Sequence, residues 1–205
     1  MSSFVITKDM PLNISDAELI KGCLAKIPVF QQALYKRFAS TMYTVCLRYA
    51  RDKEEAKDIL QDGFILVFDK LSQFRMEGSF EGWIRKIMVN KSLEYYRKSS
   101  FLYSVIDYDN KEIENELIDK ESILSNIESK ELLKMIQNLS PVYRMVFNMY
   151  VFEGMDHREI AKSLGITEGT SRKNLSDARA ILRKKISTRM LIDKKIEANE
   201  QRGHG

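Results

Sequence analysis

Six residues of one short stretch have the chemistry of a polyanion contact: Arg172, Lys173, Asn174, Ser176, Arg179 and Arg183. Cations meet phosphates, while amide and hydroxyl side chains offer donors and acceptors to a base edge. At helical spacing these residues fall outside an apolar stripe of Leu175, Ala178, Ile181 and Leu182. A second mixed group lies upstream, where Phe74, Phe80, Trp83, Tyr95 and Tyr96 are interleaved with Arg75, Arg85, Lys86, Lys91, Arg97 and Lys98. Opened DNA needs rings or pockets for unstacked bases, at ~1–3 kcal/mol per stacked base, and cations for its backbone. Phe80 and Trp83 also recur as core positions do, and spacing favours the core for both. No enzyme chemistry competes with this reading. His157 and His204 are the only histidines, no Cys/His cluster has metal-ligand spacing, and no Gly-rich phosphate loop is present. No cofactor and no metal are expected.

The first group needs a helix held at an angle, and the residues before it supply one. Asp156 with Glu159 has capping-box spacing, and Ile160, Ala161 and Leu164 follow at helical period. Gly165 suits a residue leaving a helix with positive φ. Ile166 is expected buried in the turn, and Thr167 is expected to cap the second helix, with Glu168 near its positive end. His157 reads as an ordinary helix-start residue. Two short helices, a glycine turn and a basic outer face form helix-turn-helix geometry.

The rest of the chain reads as all-α. Three prolines and nine glycines in 205 residues leave little turn chemistry. Residues 1–14 read as a loose arm without the pattern of a secretory signal. Ser15 with Glu18 opens a helix to about Lys26, and Pro28 opens another to about Ala50. A third runs from Glu54 to about Leu71, and a fourth, capped by Ser79, to about Lys98. Residues 107–131 hold nine acidic residues against three lysines, so the segment 101–126 reads as a flexible acidic linker. Helical pattern resumes at Ile127, and Ser140-Pro141 starts a helix through Phe152 that Gly154 closes. From about Ile192 the tail is polar and expected to fray. The expected organisation is two small helical domains, 15–100 and 127–190, with a tail at 191–205. Cys23 and Cys46 sit in apolar helical patterns and read as buried thiols in a reducing cytoplasm rather than a disulfide. No apolar run approaches the ~20 residues of a membrane span.

Three motifs in order carry a resemblance. They are EEAKDILQDGFILVFDKL (54–71), FRMEGSFEGWIRKIMVNKSLEYYRK (74–98) and LSPVYRMVFNMYVFEGMDHREIAKSLGITEGTSRKNLSDARAILRKKI (139–186). The chain resembles a bacterial RNA polymerase sigma factor of the extracytoplasmic-function type, with region 2 and region 4, over about residues 16–100 and 130–187. The resemblance implies a transcription initiation factor that binds core polymerase through the β′ clamp helices and the β flap. Glu55, Asp58, Gln61 and Asp62 match the clamp-docking surface. The loop Arg75–Ser79, with Gly78, matches the one that captures a flipped base of the −10 element, and Asn90 matches the asparagine that helps read it. Arg85, Lys86, Lys91 and Arg97 would hold the melted strand. In region 4, Arg172, Lys173, Asn174, Ser176 and Asp177 occupy the −35-reading positions. Gly169 and Thr170 match the helix start that approaches the backbone, and Arg179 and Arg183 lie where phosphates pass. Ser171 departs from the aliphatic residue common there, and Asn174 and Asp177 stand where Arg is common. An anti-sigma factor is implied by the same analogy, as is a linker threading the polymerase's RNA path, with no direct membrane insertion.

A different reading is a dimeric helix-turn-helix regulator bound to an operator. It accounts for residues 139–186 and gives 54–98 no role.

Overall fold

The protein is described here by a computed structural model covering residues 14–103 and 127–202. Apart from Ile14 and the end of the fourth helix, the expected arm and acidic linker lie outside these residues. All regular elements among them are helices.

The first four pack as a bundle. Helix α1 (Asp16–Leu24) opens on a capping box in which Ser15 Oγ accepts from the Glu18 amide at 3.3 Å and Glu18 accepts from the Ser15 amide at 3.1 Å. Helix α2 (Pro28–Tyr49) starts on proline, whose fixed φ suits a first turn. Helix α3 (Lys53–Lys70) is capped by Asp52, which accepts from the Glu55 amide at 2.8 Å. A 3-10 turn (Leu71–Gln73) and a loop lead to Ser79, which accepts from the Gly82 amide at 3.2 Å and starts α4 (Phe80–Tyr103). Leu34, Phe38, Met42, Ile59, Phe64, Val67, Ile84 and Met88 form the bundle's buried centre. A Cβ at Gly63 would overlap Met88 Sδ, so glycine permits the close approach of α3 to α4.

The second half comprises α5 (Ile127–Gln137), α6 (Pro141–Val151), α7 (His157–Leu164) and α8 (Glu168–Arg202). Ile136, Leu139, Ala178 and Leu182 are buried together between α5, α6 and α8. The two halves do not stand apart. One buried cluster includes Leu34 and Cys46 of the first half and Met145, Met149 and Ile160 of the second. The C-terminal end of α2 meets α5 and α6 at this seam.

Several expectations need correction. Helix α4 runs to Tyr103, and α8 runs to Arg202 rather than giving way to a fraying tail near 191. No Gly or Pro interrupts α8 between Gly169 and Gly203, and Lys, Glu, Ala and Met sustain a helix. The apolar Ile65 of α3 is 59% exposed. Ile166 is only half-buried. Ser140 stands at the N-cap of α6 without a side-chain hydrogen bond, so proline at the first position sets that start.

Candidate nucleic-acid interface

The helix-turn-helix is built as its capping residues dictate. Asp156 accepts from the Glu159 amide at 2.8 Å, and Glu159 returns the bond to the Asp156 amide at 2.9 Å. Gly165 takes φ 69°, where a side chain would be strained. Thr167 Oγ1 accepts from the Thr170 amide at 3.1 Å, closing the start of α8. A Cβ at Gly169 would meet only Thr167 Oγ1, at 3.8 Å, so the space before it is open.

From that start α8 presents Thr170, Arg172, Lys173, Ser176, Arg179 and Arg183 to solvent. Arg172 pairs with Glu168 at 3.1 Å, an exposed contact that a phosphate can displace. Asn174 does not belong to this face. It is 8% exposed, because residues 171, 174, 175, 178 and 182 form the inner stripe. Its expected place among base-reading side chains is corrected to a place in the packing. Asp177 is half-buried and accepts from Tyr143 Oη at 3.2 Å, so part of its acceptor capacity is already used. That carboxylate raises the Tyr143 phenol above its ordinary range. Ser171 is fully buried, and its hydroxyl lies 2.9 Å from His157 Nδ1. The His157 ring stacks on Tyr150 at 4.9 Å, and the Arg179 guanidinium sits 5.3 Å from the centre of the Tyr150 ring. The sequence departure at Ser171 thus has a partner that spacing alone did not single out.

On α4, Lys86, Asn90 and Arg97 are exposed at helical spacing. Asn90 and Arg97 line a cavity of about 280 Å³ with Leu66, Lys70, Ile87, Leu93 and Glu94. Lys70, the last residue of α3, is a cation of this site that sequence reasoning missed. Lys91 pairs with Glu94 of the same cavity wall at 2.7 Å, and its side chain is 14% exposed, so its charge is partly spent within the helix. Arg85 is drawn toward Glu81 at 3.5 Å. The loop Arg75–Ser79 is exposed and carries two left-handed residues, Met76 (φ 59°) and Gly78 (φ 78°). Its base is anchored by Phe74, whose ring lies 5.1 Å from Phe80 and 5.5 Å from Trp83. Phe80 is 3% exposed, in keeping with the core reading, and Trp83 is half-buried against the same cluster.

Of the four docking candidates on α3, Asp58 and Gln61 are exposed. Glu55 accepts from the Arg51 amide at 2.7 Å and has a side chain only 15% exposed. Asp62 accepts from Tyr95 Oη at 3.2 Å. Burial and the Asp62 carboxylate push the Tyr95 phenol to about 12. Ile65 stands in line with Asp58 and Gln61 and makes that face part apolar. One expected DNA contact also touches the other half, since Arg97 Nη2 donates to the Ser163 carbonyl of α7 at 2.6 Å. Among the described residues no group of acidic, His or Cys side chains is arranged to hold a metal, and no helix is long and apolar enough to cross a membrane.

Comparison with known proteins places this geometry. The family model described as Sigma-70 region 2 matches residues 34–101, and that for Sigma-70, region 4 matches residues 129–182. The chain is 28% identical to ECF RNA polymerase sigma factor SigE of Mycolicibacterium smegmatis over 168 residues, 79% of this chain and 63% of that protein. It is 24% identical to the probable RNA polymerase sigma factor RfaY of Xanthomonas campestris over 163 residues, 73% of this chain and 38% of that one. The matched part is thus less than two thirds of either relative. In fold it is similar to the sigma factor RpoE of Bartonella quintana, solved in complex with the anti-sigma factor NepR. There the TM-score is 0.51 at 19% identity, covering 76% of this chain and 96% of that one.

Proposed function

The chain belongs to the sigma-70 family, in its extracytoplasmic-function type, and from that premise we propose that it is an alternative sigma factor that directs core RNA polymerase to its promoters. One observation carries the reading. A single chain presents two separate basic faces, Lys86–Asn90–Arg97 with Lys70 on one half and Arg172–Lys173–Arg179–Arg183 on the other. A factor that must read a −35 duplex and hold an opened −10 strand needs both. The face of α8 would enter the −35 major groove, with Gly169 and Thr170 close to the backbone. The cavity beside Asn90 and the loop Arg75–Ser79 would receive bases of the opened strand. Asp58, Gln61 and Ile65 would meet the β′ clamp helices, with the β flap taken by the second half.

In this reading the units are 15–100 and 127–190, the acidic segment between them follows the polymerase's RNA path, and the factor is not an enzyme. It works in the cytoplasm, and an anti-sigma factor restrains it. An operator-binding dimer would leave the whole first half idle. The test is reconstitution with core polymerase on genomic fragments, with new 5′ ends sequenced. Discrete starts sharing −35 and −10 elements are expected. No core binding and no new starts, with folded protein and matched polymerase, would end the proposal.

A further inference from the structure

Helix α6 packs against α8, and one contact between them joins two polar side chains. Tyr143 of α6 has its ring against the buried cluster of Ile136, Leu139, Ala178 and Leu182. Its hydroxyl donates to Asp177 Oδ2 at 3.2 Å. A ring held by packing fixes its hydroxyl, and the hydroxyl fixes the carboxylate it bonds. An ionised carboxylate only accepts, so this bond engages Oδ2 and leaves Oδ1 as an acceptor. A guanidinium at position 177 would offer a phenol no acceptor, so tyrosine and aspartate suit each other as a pair.

Asp177 stands at the edge of the outward face of α8. It is half-buried, next to the exposed Ser176 and one turn after the exposed Lys173. At that spacing the Cβ atoms of Lys173 and Asp177 are about 5–6 Å apart. A carboxylate on a face set for a polyanion is repelled by phosphate unless a donor meets it. In the major groove the base donors are the amino groups of cytosine and adenine. Adenine carries the N7 acceptor beside its amino group, which opposes a carboxylate, whereas cytosine has no acceptor on that edge. The guanine paired with such a cytosine shows O6 and N7, to which a lysine donates.

We propose that Asp177 reads a cytosine amino group of the −35 element through Oδ1, with Tyr143 as its positioning residue and Lys173 on the paired guanine. The inference rests on the sigma reading for the identity of the duplex, while the Tyr143–Asp177 pair stands on its own geometry. Tyr143 acts through Asp177 and touches no base, so a residue of α6 sets part of the sequence preference of α8. The pair governs base choice at one position more than overall affinity. Losing it relaxes that position and leaves the others as they were.

The test uses the full-length chain with core polymerase on promoter fragments randomised through the −35 element, and the bound fragments are sequenced. The parent should enrich cytosine in one fixed orientation at one position, about tenfold over the other bases. Asp177→Asn keeps the shape and an acceptor for Tyr143, and its new amide donor should move that position to adenine. Tyr143→Phe keeps the ring and should cut the cytosine preference several-fold while every other position holds, whereas a merely structural tyrosine would lower all positions together. In a second arm the selected cytosine is replaced by 2-pyrimidinone, which lacks the amino group. The parent should lose about tenfold in affinity and Asp177→Ala nothing. Thermal melts check that each variant folds, and the analogue arm needs only the parent and Asp177→Ala. A parent that enriches no cytosine, an Asp177→Asn selection identical to the parent's, or equal loss by parent and Asp177→Ala on the analogue would overturn the contact. A folded Tyr143→Phe chain with an unchanged selection would overturn the positioning role. Failure of the folded parent to bind core polymerase would count against the sigma reading instead, and selection of random duplexes by the chain alone would then decide the contact on the same criteria.

Discussion

Ser171 shows what one buried hydroxyl does to a helix-turn-helix. An apolar side chain there would only pack, whereas a hydroxyl removed from water needs a partner, and His157 is that partner at 2.9 Å. Sequence reasoning flagged Ser171 as unusual but read His157 as a plain helix start. The two are 14 residues apart, and local spacing has no term for a pair formed across a turn. Ser171→Ala is expected to lower stability by about 1 kcal/mol in urea unfolding, with Ser171→Val recovering part of it through apolar packing. Equal stability of all three would remove the pair from the fold's support. Asn174 is the opposite case, since a polar type suggested the outer face while its register placed it inside. Asn174→Ala should therefore change the unfolding midpoint and leave discrimination among −35 sequences intact. Arg172→Ala should weaken binding by about 1–3 kcal/mol if the guanidinium touches a base, and less if it touches only phosphate. A panel of −35 duplexes measured against both variants separates these roles: loss of discrimination in Asn174→Ala would return it to the reading face.

At the scale of elements, starts were more legible than ends. Ser15, Ser79, Asp156 and Thr167 cap as their types predict, because a cap is a local hydrogen bond. The end of α8 was not legible, because polarity was read as fraying where helix propensity was sufficient. Helix α3 has two instructive glycine and isoleucine positions. Gly63→Ala would gain about 1 kcal/mol in helix propensity. The new methyl would overlap the side chain of Met88, which is fully buried, and overpacking of this kind costs about 1–3 kcal/mol. A net loss of stability is expected, and a higher melting temperature in Gly63→Ala would refute the tight α3–α4 contact. Ile65→Ala should do the reverse: at 59% exposure it contributes little to folding, yet it sits one turn beyond Gln61 on the expected docking face. Core-polymerase affinity should fall about tenfold with the melting temperature unchanged, a loss of about 1.4 kcal/mol. Unchanged affinity would leave Ile65 a chance exposed apolar residue.

For the whole molecule, the division into two helical units was legible and their seam was not. Gln137, Asn148 and Glu153 carry no local signal of their role, because their partners lie 90 to 104 positions away. The seam adjoins groups whose protonation the fold opposes changing. Burial pushes the Cys46 thiol from 9.0 to about 12 and the Cys23 thiol to about 11, and it holds the Tyr49 phenol well above its ordinary range. Each is raised in the folded state, so the stability it carries is whole below the unfolded value and is lost as pH climbs toward the folded one. Between about pH 9 and 12 the unfolded chain gives up protons that the folded chain keeps. Cys46 alone should make stability fall by about 1.4 kcal/mol per pH unit within that window. Below pH 8 no such slope is expected from these groups. Denaturant melts taken from pH 7 to 11 would follow it, and Cys46→Ala should flatten the alkaline limb whatever it does to stability at pH 7. Parallel profiles for parent and variant would mean that Cys46 ionises in the folded chain, and so that this end of α2 is open to water rather than sealed under the second half.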